Sequence, residues 1–330
     1  MRLVYVVVAH KNPGQLARMV SALTTGEEDF VVHIDGKQDI APFVHALDGR
    51  KAVHFVGHRV PVYTTGYPPG TGYSQARAIL SALDEACSGR DFDYVVLLSG
   101  QDYPIKRNDE IHAHFERHRG KEFLGRFPLS EDPEQAAVEL KARLKRIERW
   151  YVEDLLRAKY LKGLNTVVST FLPKRKFPAG YRPYWGSVYW RFTSPCARFV
   201  VDFAREHPDF IRFFRFVGCP DEYVFHTIVL NSPFAGNVVD DNLTYMDWPC
   251  TFHPKTLMVE HFPALARSEK LFARKFDVVV DERVLELIDT KLLGRVPVID
   301  EHAAGTKNAE RSLPQAEGRG RASENIKSTL

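Results

Sequence analysis

Short, nearly continuous apolar runs alternate with amphipathic stretches along the first hundred residues. Runs typical of strands that a parallel sheet buries on both faces occur at residues 3–9, 30–34, 52–56 and 94–98. Apolar residues recur at helical spacing over residues 15–23 and 74–86. The alternation predicts an α/β fold with a mixed, mainly parallel central sheet flanked by helices.

Polar residues directly follow three of these predicted strands, at positions His10, Asp35, Lys37 and Asp102. Ligands of such sheets bind at the carboxyl ends of the strands, so we predict that these four residues contact a nucleotide ligand. For Asp35, an Asx turn before Gly36 is the alternative. Asp102 stands without a second aspartate nearby, and one carboxylate is a poor cage for a hard divalent cation.

The second half of the chain is more charged. A helix is predicted over residues 108–117, a strand over 121–127 and a long charged helix over 133–162. We expect the basic residues of the long helix to face solvent, with a membrane surface as the alternative. The apolar pattern fades after Asp289, so we expect residues 1–295 to form one domain and residues 296–330 a disordered polar tail.

A carboxylate pair, Asp221 and Glu222, stands at the start of an apolar helical run that ends near Asn231. Free backbone amides in a first helical turn can keep a carboxylate ionised and able to accept a proton. The alternative is that Asp221 caps the helix and Glu222 only favours its dipole. A second site elsewhere in the chain must decide between these alternatives.

A basic pair, Arg274 and Lys275, lies between apolar neighbours, which is unusual for solvated charges. Arginine offers a rigid fork and lysine a point charge, and together they match a diphosphate. Pairing with Asp277 or Asp281 is the alternative.

Composition narrows the classes of function. A net charge of +3 over 330 residues is too small for an electrostatic nucleic-acid binder. Four widely spaced cysteines without zinc-type spacing favour reduced thiols and a cytoplasmic protein. No apolar run approaches the roughly 20 residues that cross a membrane, so any membrane contact is expected to be peripheral.

Five fragments, in the same order along the chain, resemble glycosyltransferase family 14. They read VVVAHKNPGQL, VVHIDGK, YVVLLSGQDYPIKRNDEI, DEYVFHTIVLNSP with VVDDNLTYMDW, and LFARKFD. The resemblance is nearer to the peptide O-xylosyltransferases than to the branching β-1,6-N-acetylglucosaminyltransferases. It departs at Gly70, where tryptophan is usual, and over residues 186–189, where Gly-Ser-Val-Tyr replaces Gly-Ser-Asp-Trp.

The resemblance implies a bacterial enzyme of the GT-A type whose single catalytic domain, residues 1–295, transfers xylose or N-acetylglucosamine from a UDP-sugar to an acceptor hydroxyl. It implies an inverting reaction that needs no metal or other cofactor, with Glu222 as general base and with Arg274 and Lys275 binding the diphosphate. With Glu222 as the base, we expect Asp221 to cap the helix and orient the pair. Possible contacts with the acceptor or the sugar are Asp221, Trp185, Ser187 and Trp248, although burial in the core explains Trp185 about as well. A protein that binds a UDP-sugar or carbohydrate without turnover is the alternative.

Overall fold

A seven-stranded sheet lies at the centre of the computed structural model, which describes residues 1–66, 69–152, 164–248 and 254–295. The strand order is β3-β2-β1-β6-β9-β8-β10, with bounds β1 (Leu3–Ala9), β2 (Asp29–Ile34), β3 (Val53–Phe55), β6 (Tyr94–Ser99), β8 (Glu122–Arg126), β9 (Gly186–Thr193) and β10 (Val238–Val239). Strand β9 runs antiparallel to both neighbours, and the other pairs are parallel. The predicted mixed, mainly parallel sheet is confirmed.

Two smaller sheets complete the strands. A hairpin joins β4 (Thr64–Gly66) to β5 (Pro69–Thr71). A three-stranded sheet has the order β11-β12-β7, with bounds β7 (Asp102–Pro104), β11 (Thr244–Met246) and β12 (Phe272–Arg274). Strand β12 pairs antiparallel with β7, so residues 272–274 lie next to the segment that follows β6.

Three helices in the first half of the chain follow the prediction closely, with bounds α1 (Pro13–Leu23), α3 (Tyr73–Cys87) and α4 (Asn108–Arg117). A fourth, α2 (Ala41–Ala46), was not predicted. The second half contains α5 (Pro133–Glu148), α6 (Leu164–Phe171), α7 (Ser194–Glu206), α8 (Pro208–Phe213), α9 (Val224–Leu230), α10 (Phe262–Arg267) and α11 (Arg283–Leu287). Short 3-10 turns cover Phe214–Phe216, Pro220–Glu222, Pro233–Asn237 and Val259–His261, and a π-helical turn covers Ile288–Leu292.

Helix α5 is shorter than the sequence pattern indicates. It ends at Glu148 because Arg149 is extended and the amide of Tyr151 donates to the carbonyl of Phe216, 3.1 Å away, rather than within a helix. A tertiary contact thus ends the helix where periodicity alone would continue it. Residues 153–163, which the predicted helix also covered, and the predicted tail at 296–330 lie outside the described residues.

Strand β1 divides the core into two. All seven of its residues are buried, and because side chains alternate along a strand, Tyr5 and Val7 pack into the cluster that includes Leu16 of α1. Val4 and Val6 pack on the opposite face with residues of α3 and α7. Each such side chain contributes about 1.5–3 kcal/mol of burial before entropy is subtracted. The buried strand therefore fixes the position of the polar residues that follow it at the carboxyl edge of the sheet.

Among the described residues, no helix has both the length and the apolar character needed to span a bilayer.

Candidate active site

Asp35, at the carboxyl end of β2, binds the loop that follows β3. Its Oδ1 accepts hydrogen bonds from the amides of Lys37 and Val62, each at 3.0 Å. The Lys37 ammonium lies 3.4 Å from Asp35 Oδ2 and 4.9 Å from the centre of the Tyr63 ring. Asp35 therefore makes the Asx turn considered above and also orders the rim, while its contact with a ligand stays a prediction.

His10 lies at the neighbouring end of β1 and is surrounded by positive charge. Partial desolvation lowers the pKa of its imidazole, and Lys11, Lys37 and Arg274 lower it further. The charge of Asp35 opposes this lowering, and the net fall in the pKa favours the neutral ring, which can donate or accept a hydrogen bond at the rim. Its predicted contact with a nucleotide remains untested.

Asp102 is completely buried below this rim. Its Oδ2 accepts from the Ser99 amide at 2.7 Å, and its Oδ1 accepts from the Ser99 hydroxyl at 2.8 Å. Arg274 Nη1 lies 3.6 Å from the same Oδ1. Burial raises the pKa of Asp102, and the charge of Arg274 opposes that rise. Both carboxylate oxygens are thus engaged within the protein.

Arg274 is held from two sides. Asp102 lies on one, and on the other the guanidinium lies 4.5 Å from the centre of the Tyr189 ring on β9. Its side chain is 16% exposed, and burial lowers the pKa of the guanidinium. An arginine fixed in this way loses little further entropy when it binds an anion.

Lys275 adds a second cation to the same edge. Partial burial lowers the pKa of its ammonium, and the neighbouring charges of Arg274 and Lys11 lower it further. The alternative pairing is not formed: Arg274 pairs with Asp102, and Asp277 bonds to Lys11 at 2.6 Å, although the charge of Asp277 also opposes the fall in the pKa of Lys275. Crowded cations of this kind favour binding of an anion.

Gln15 of α1, which sequence reasoning missed, fixes the segment that carries these cations. Its Nε2 donates to the carbonyls of Gly100, at 3.0 Å, and Phe276, at 3.2 Å, while its Oε1 accepts from the Val278 amide at 2.9 Å. Gly100 is required there because a Cβ would lie 2.8 Å from the Cβ of Ala9. A glutamine within an amphipathic helix pattern gives no sign of burial, so only the fold identifies it.

Glu222 lies at the end of the Pro220–Glu222 turn, beside α5. Arg146 Nη1 donates to Glu222 Oε2 at 2.7 Å, and the Glu222 side chain is 27% exposed. Burial raises the pKa of this carboxyl, with the charges of Arg146 and Arg143 opposing the rise. A partly accessible carboxylate with a raised pKa is suited to accept a proton.

The capping role expected of Asp221 is wrong. Helix α9 begins at Val224 with Tyr223 as its N-cap, and the 3-10 turn has Cys219 in that position. Asp221 lies inside the turn and is 3% exposed. The turn separates the carboxylates from the α-helix, so the capping argument no longer applies. A contact of Asp221 with a ligand remains a prediction.

The prediction that the basic residues of α5 face solvent is wrong for two of them. The side chains of Arg143 and Arg146 are only 19% and 26% exposed, and Arg143 lies 5.3 Å over the ring of Trp185. Their carbonyls accept from the Tyr223 hydroxyl at 3.1 Å and the Gly218 amide at 3.0 Å. Helix α5 therefore holds the turn that carries Glu222. The three-residue spacing of these arginines puts them on one helix face, a signal that could have found them.

The predicted acceptor contacts lie in different environments. Trp185 is half-buried, with its ring 6.3 Å from that of Tyr223 and therefore next to the Glu222 turn. Ser187 is buried, and its hydroxyl accepts from Asn242 Nδ2 at 2.7 Å. Trp248 is 51% exposed and precedes residues outside the described part of the chain. The geometry thus puts Trp185 beside Glu222.

Strand β9 links the two halves of the site. It packs against the Pro220–Glu222 turn, and its Tyr189 contacts Arg274. At its first residue, Gly186, a Cβ would overlap the carbonyl oxygen of Gly125 and Nε2 of His226. Only glycine fits this position, which explains the close approach of β9 to β8 and α9.

The thiols of the described residues lie in the interior. Cys87, Cys196 and Cys219 are buried and form no disulfide with one another, and Cys250 lies outside the described residues. Within the ranges that the structure describes, no three residues of the types His, Cys, Asp and Glu come together as a cation site.

Known proteins share this sequence pattern. The model of the Core-2/I-branching enzyme family matches residues 3–266. Xylosyltransferase 2 of Rattus norvegicus is 26% identical over 322 residues, which cover 90% of this chain and 34% of that protein. Xylosyltransferase 1 of Homo sapiens is 23% identical over 327 residues, which cover 90% of this chain and 31% of that protein. The chain thus spans about a third of the length of these relatives.

Structural comparison matches a crystal structure of the galactosyltransferase LgtC in complex with donor and acceptor sugar analogues. The sequence identity is 12% and the TM-score 0.36, with 92% of this chain and 99% of that chain covered. The family match, by contrast, spans well over half of the chain. From its fragments and from the family match, the chain belongs to the Core-2/I-branching enzyme family, glycosyltransferase family 14.

Proposed function

We propose that the chain is an inverting glycosyltransferase, which transfers xylose or N-acetylglucosamine from a UDP-sugar to an acceptor hydroxyl without a divalent metal. The observation that carries the proposal is the grouping of three cations, Lys11, Arg274 and Lys275, at the carboxyl edge of the sheet, where only Lys11 and Arg274 have a carboxylate partner among the described residues. A departing diphosphate needs positive charge where its own charge develops. The xylosyltransferase relatives support sugar transfer as the class of reaction.

On the donor side, Arg274 and Lys275 bind the diphosphate. The Arg274 fork binds two phosphate oxygens, and Lys275 adds a point charge. Asp102 does not contact the donor in this scheme, because Ser99 and Arg274 engage its oxygens. It is a positioning residue that holds the arginine in place.

The nucleoside lies on the rim formed by His10, Asp35 and Lys37. Asp35 keeps Lys37 and the loop at Val62 in place, and the neutral ring of His10 offers a hydrogen bond without adding charge. Such a rim at the ends of parallel strands suits a nucleotide.

On the acceptor side, Glu222 accepts the proton of the acceptor hydroxyl as its oxygen forms a bond to the anomeric carbon. The bond between that carbon and the phosphate oxygen breaks, and its electron pair leaves with UDP. A single displacement from the face opposite the leaving group inverts the anomeric configuration. The half-buried ring of Trp185, next to the Glu222 turn, offers an apolar face to the acceptor.

Incubation with UDP-xylose, UDP-N-acetylglucosamine, UDP-glucose and UDP-galactose tests the proposal, with UDP release measured for each donor. We expect release with one of the first two donors and its loss in Glu222→Gln. Tight binding of a UDP-sugar with no release, in the presence of a broad panel of acceptors, favours a binding protein on the same fold. Equal release from the Gln variant removes Glu222 from the reaction.

A further inference from the structure

A cavity of about 560 Å³ opens beside the nucleotide rim, which is formed by His10, Asp35 and Lys37. It lies between the loop after β3, the start of α3, and the segment of α8 with the 3-10 turn that follows it. Two aromatic and three cationic side chains line it, namely Tyr63, Tyr73, Arg77, Arg212 and Arg215. Its volume lies within the range of sites that bind small molecules.

The charge of this cavity is not neutralised by its walls. Arg212 bonds to Asp209 at 2.6 Å, but Arg77 and Arg215 form no ion pair with any residue that the structure describes. None of the described lining residues is acidic. Cations without an internal partner attract an anionic ligand, and an arginine fork binds a carboxylate through two hydrogen bonds.

The walls of the cavity also contact the two sides of the proposed active site. Lys37, on the nucleotide rim, lies 4.9 Å from the centre of the Tyr63 ring, which also lines the cavity. Helix α3, which begins at Tyr73, packs against both the Phe214–Phe216 turn and the Pro220–Glu222 turn. The cavity thus shares Tyr63 with the nucleotide rim, and helix α3 connects its wall to the turn that carries Glu222.

We propose that the cavity is an acceptor subsite for a carboxylated saccharide. Arg77 and Arg215 bind the carboxylate, and the rings of Tyr63 and Tyr73 pack against the sugar. A compact cavity with aromatic walls suits a saccharide better than an extended peptide, which is usually bound along a groove or a strand edge. The inference rests on the proposed function and names the substrate class of its acceptor side.

The test compares two probes that differ in one group. Methyl β-D-glucuronide and methyl β-D-glucoside are titrated into the UDP-saturated protein, and binding is followed by NMR. We expect the glucuronide to bind about tenfold more tightly at low salt, which corresponds to one charge-assisted contact. Arg77→Gln and Arg215→Gln should each remove most of this preference and leave glucoside binding unchanged.

Arg212→Gln is the matched control, because Arg212 already has Asp209 as a partner and should change the preference by less than about twofold. Arg77 and Arg215 are exposed, so their variants are expected to fold, and their melting temperatures verify this. Equal binding of the two glycosides, or no binding of either, overturns the proposal. Tighter binding of an acidic peptide than of the glucuronide, through the same two arginines, would also overturn the proposal and indicate a peptide acceptor.

UDP binding separates this inference from the proposed function. Arg77→Gln and Arg215→Gln should leave the UDP dissociation constant unchanged. A wild-type protein that binds no UDP contradicts the proposed function, whereas a preference for the glucuronide, measured without UDP, still supports an anionic saccharide site. A wild-type protein that binds UDP but shows no preference for the glucuronide contradicts the acceptor subsite and leaves the proposed function standing.

Discussion

Arg274 and Asp102 face each other in direct register on β12 and β7, with Nη1 of the arginine 3.6 Å from Oδ1 of the fully buried aspartate. The aspartate follows the central sheet in the chain, and the arginine comes from a segment 172 positions later. Because burial of either charge alone would be costly, each one fixes the other. The pair thus sets a cation at the edge of the sheet where the diphosphate is proposed to bind.

Substitution of the basic pair should weaken binding of UDP but not of uridine. In Lys275→Gln and Arg274→Lys, we expect the dissociation constant of UDP to rise about tenfold or more, because one charge-assisted phosphate contact contributes about 1.5–3 kcal/mol. Calorimetric titration with UDP and with uridine measures both. An equal loss for the two ligands would mean that the substitutions disturb the nucleoside rim instead of a phosphate site.

Chelator should not change the rate of transfer. Both carboxylate oxygens of Asp102, which follows β6, are engaged by Ser99 and Arg274. A metal bound to Asp102 would displace these partners and leave Arg274 without its carboxylate. Activity is measured before and after treatment with EDTA, and again with added manganese. Loss with EDTA and recovery with manganese would make Asp102 a metal ligand.

Glu222→Gln should lower turnover by a factor of about 10² or more and leave UDP binding intact, as expected for loss of a general base. The amide keeps the size of the side chain but cannot accept the acceptor proton. Glu206→Gln, at an exposed glutamate on the surface, is the matched control and should keep full activity. A similar loss of UDP affinity in Glu222→Gln would indicate a structural role.

The fall of kcat/KM at low pH, the acid limb of the pH profile, should reflect protonation of Glu222. The pKa of this carboxyl is raised by burial above its ordinary value of 4.5, so kcat/KM should fall as the pH drops through a point above 4.5, where the base becomes protonated. Arg146 lowers this pKa, and Arg146→Gln should therefore move the limb to higher pH. Arg149→Gln, one position past the end of α5, serves as the comparison. An unchanged limb in Arg146→Gln would assign the titration to another group.

Gly186→Ala should destabilise the protein, since the added methyl overlaps backbone and side-chain atoms of Gly125 and His226. Overpacking of this kind costs about 1–3 kcal/mol. Gly236→Ala is the control, because no atom lies within 4 Å of its Cβ position, and it should change stability by no more than about 0.5 kcal/mol. Denaturant unfolding measures both, and equal stability of the two variants would contradict the close approach of β9.

Local pattern predicted much of this molecule. Strands β1, β2, β3, β6 and β8 and helices α1, α3 and α4 follow from apolar runs and periodicity, because each depends on residues a few positions apart. The pattern did not predict β9 and β10, which complete the central sheet. The carboxyl edge follows from the parallel order of the strands, so His10, Asp35 and Asp102 could be placed near one another from sequence. Charges set among apolar neighbours made Glu222 and the basic pair candidates, and the family resemblance supplied their proposed roles, which stay predictions.

Tertiary structure decided how these residues are held. Arg146 reaches Glu222 across 76 positions, and Gln15 reaches Phe276 across 261 positions, and no period in the sequence encodes either distance. The cap expected of Asp221 failed because a 3-10 turn separates it from the helix. Burial of Asp102 and the grouping of Arg77 with Arg215 likewise depend on which segments pack together. Sequence determined the elements and the kind of chemistry at their ends, while long-range packing decided which charges pair and which stay available for a ligand.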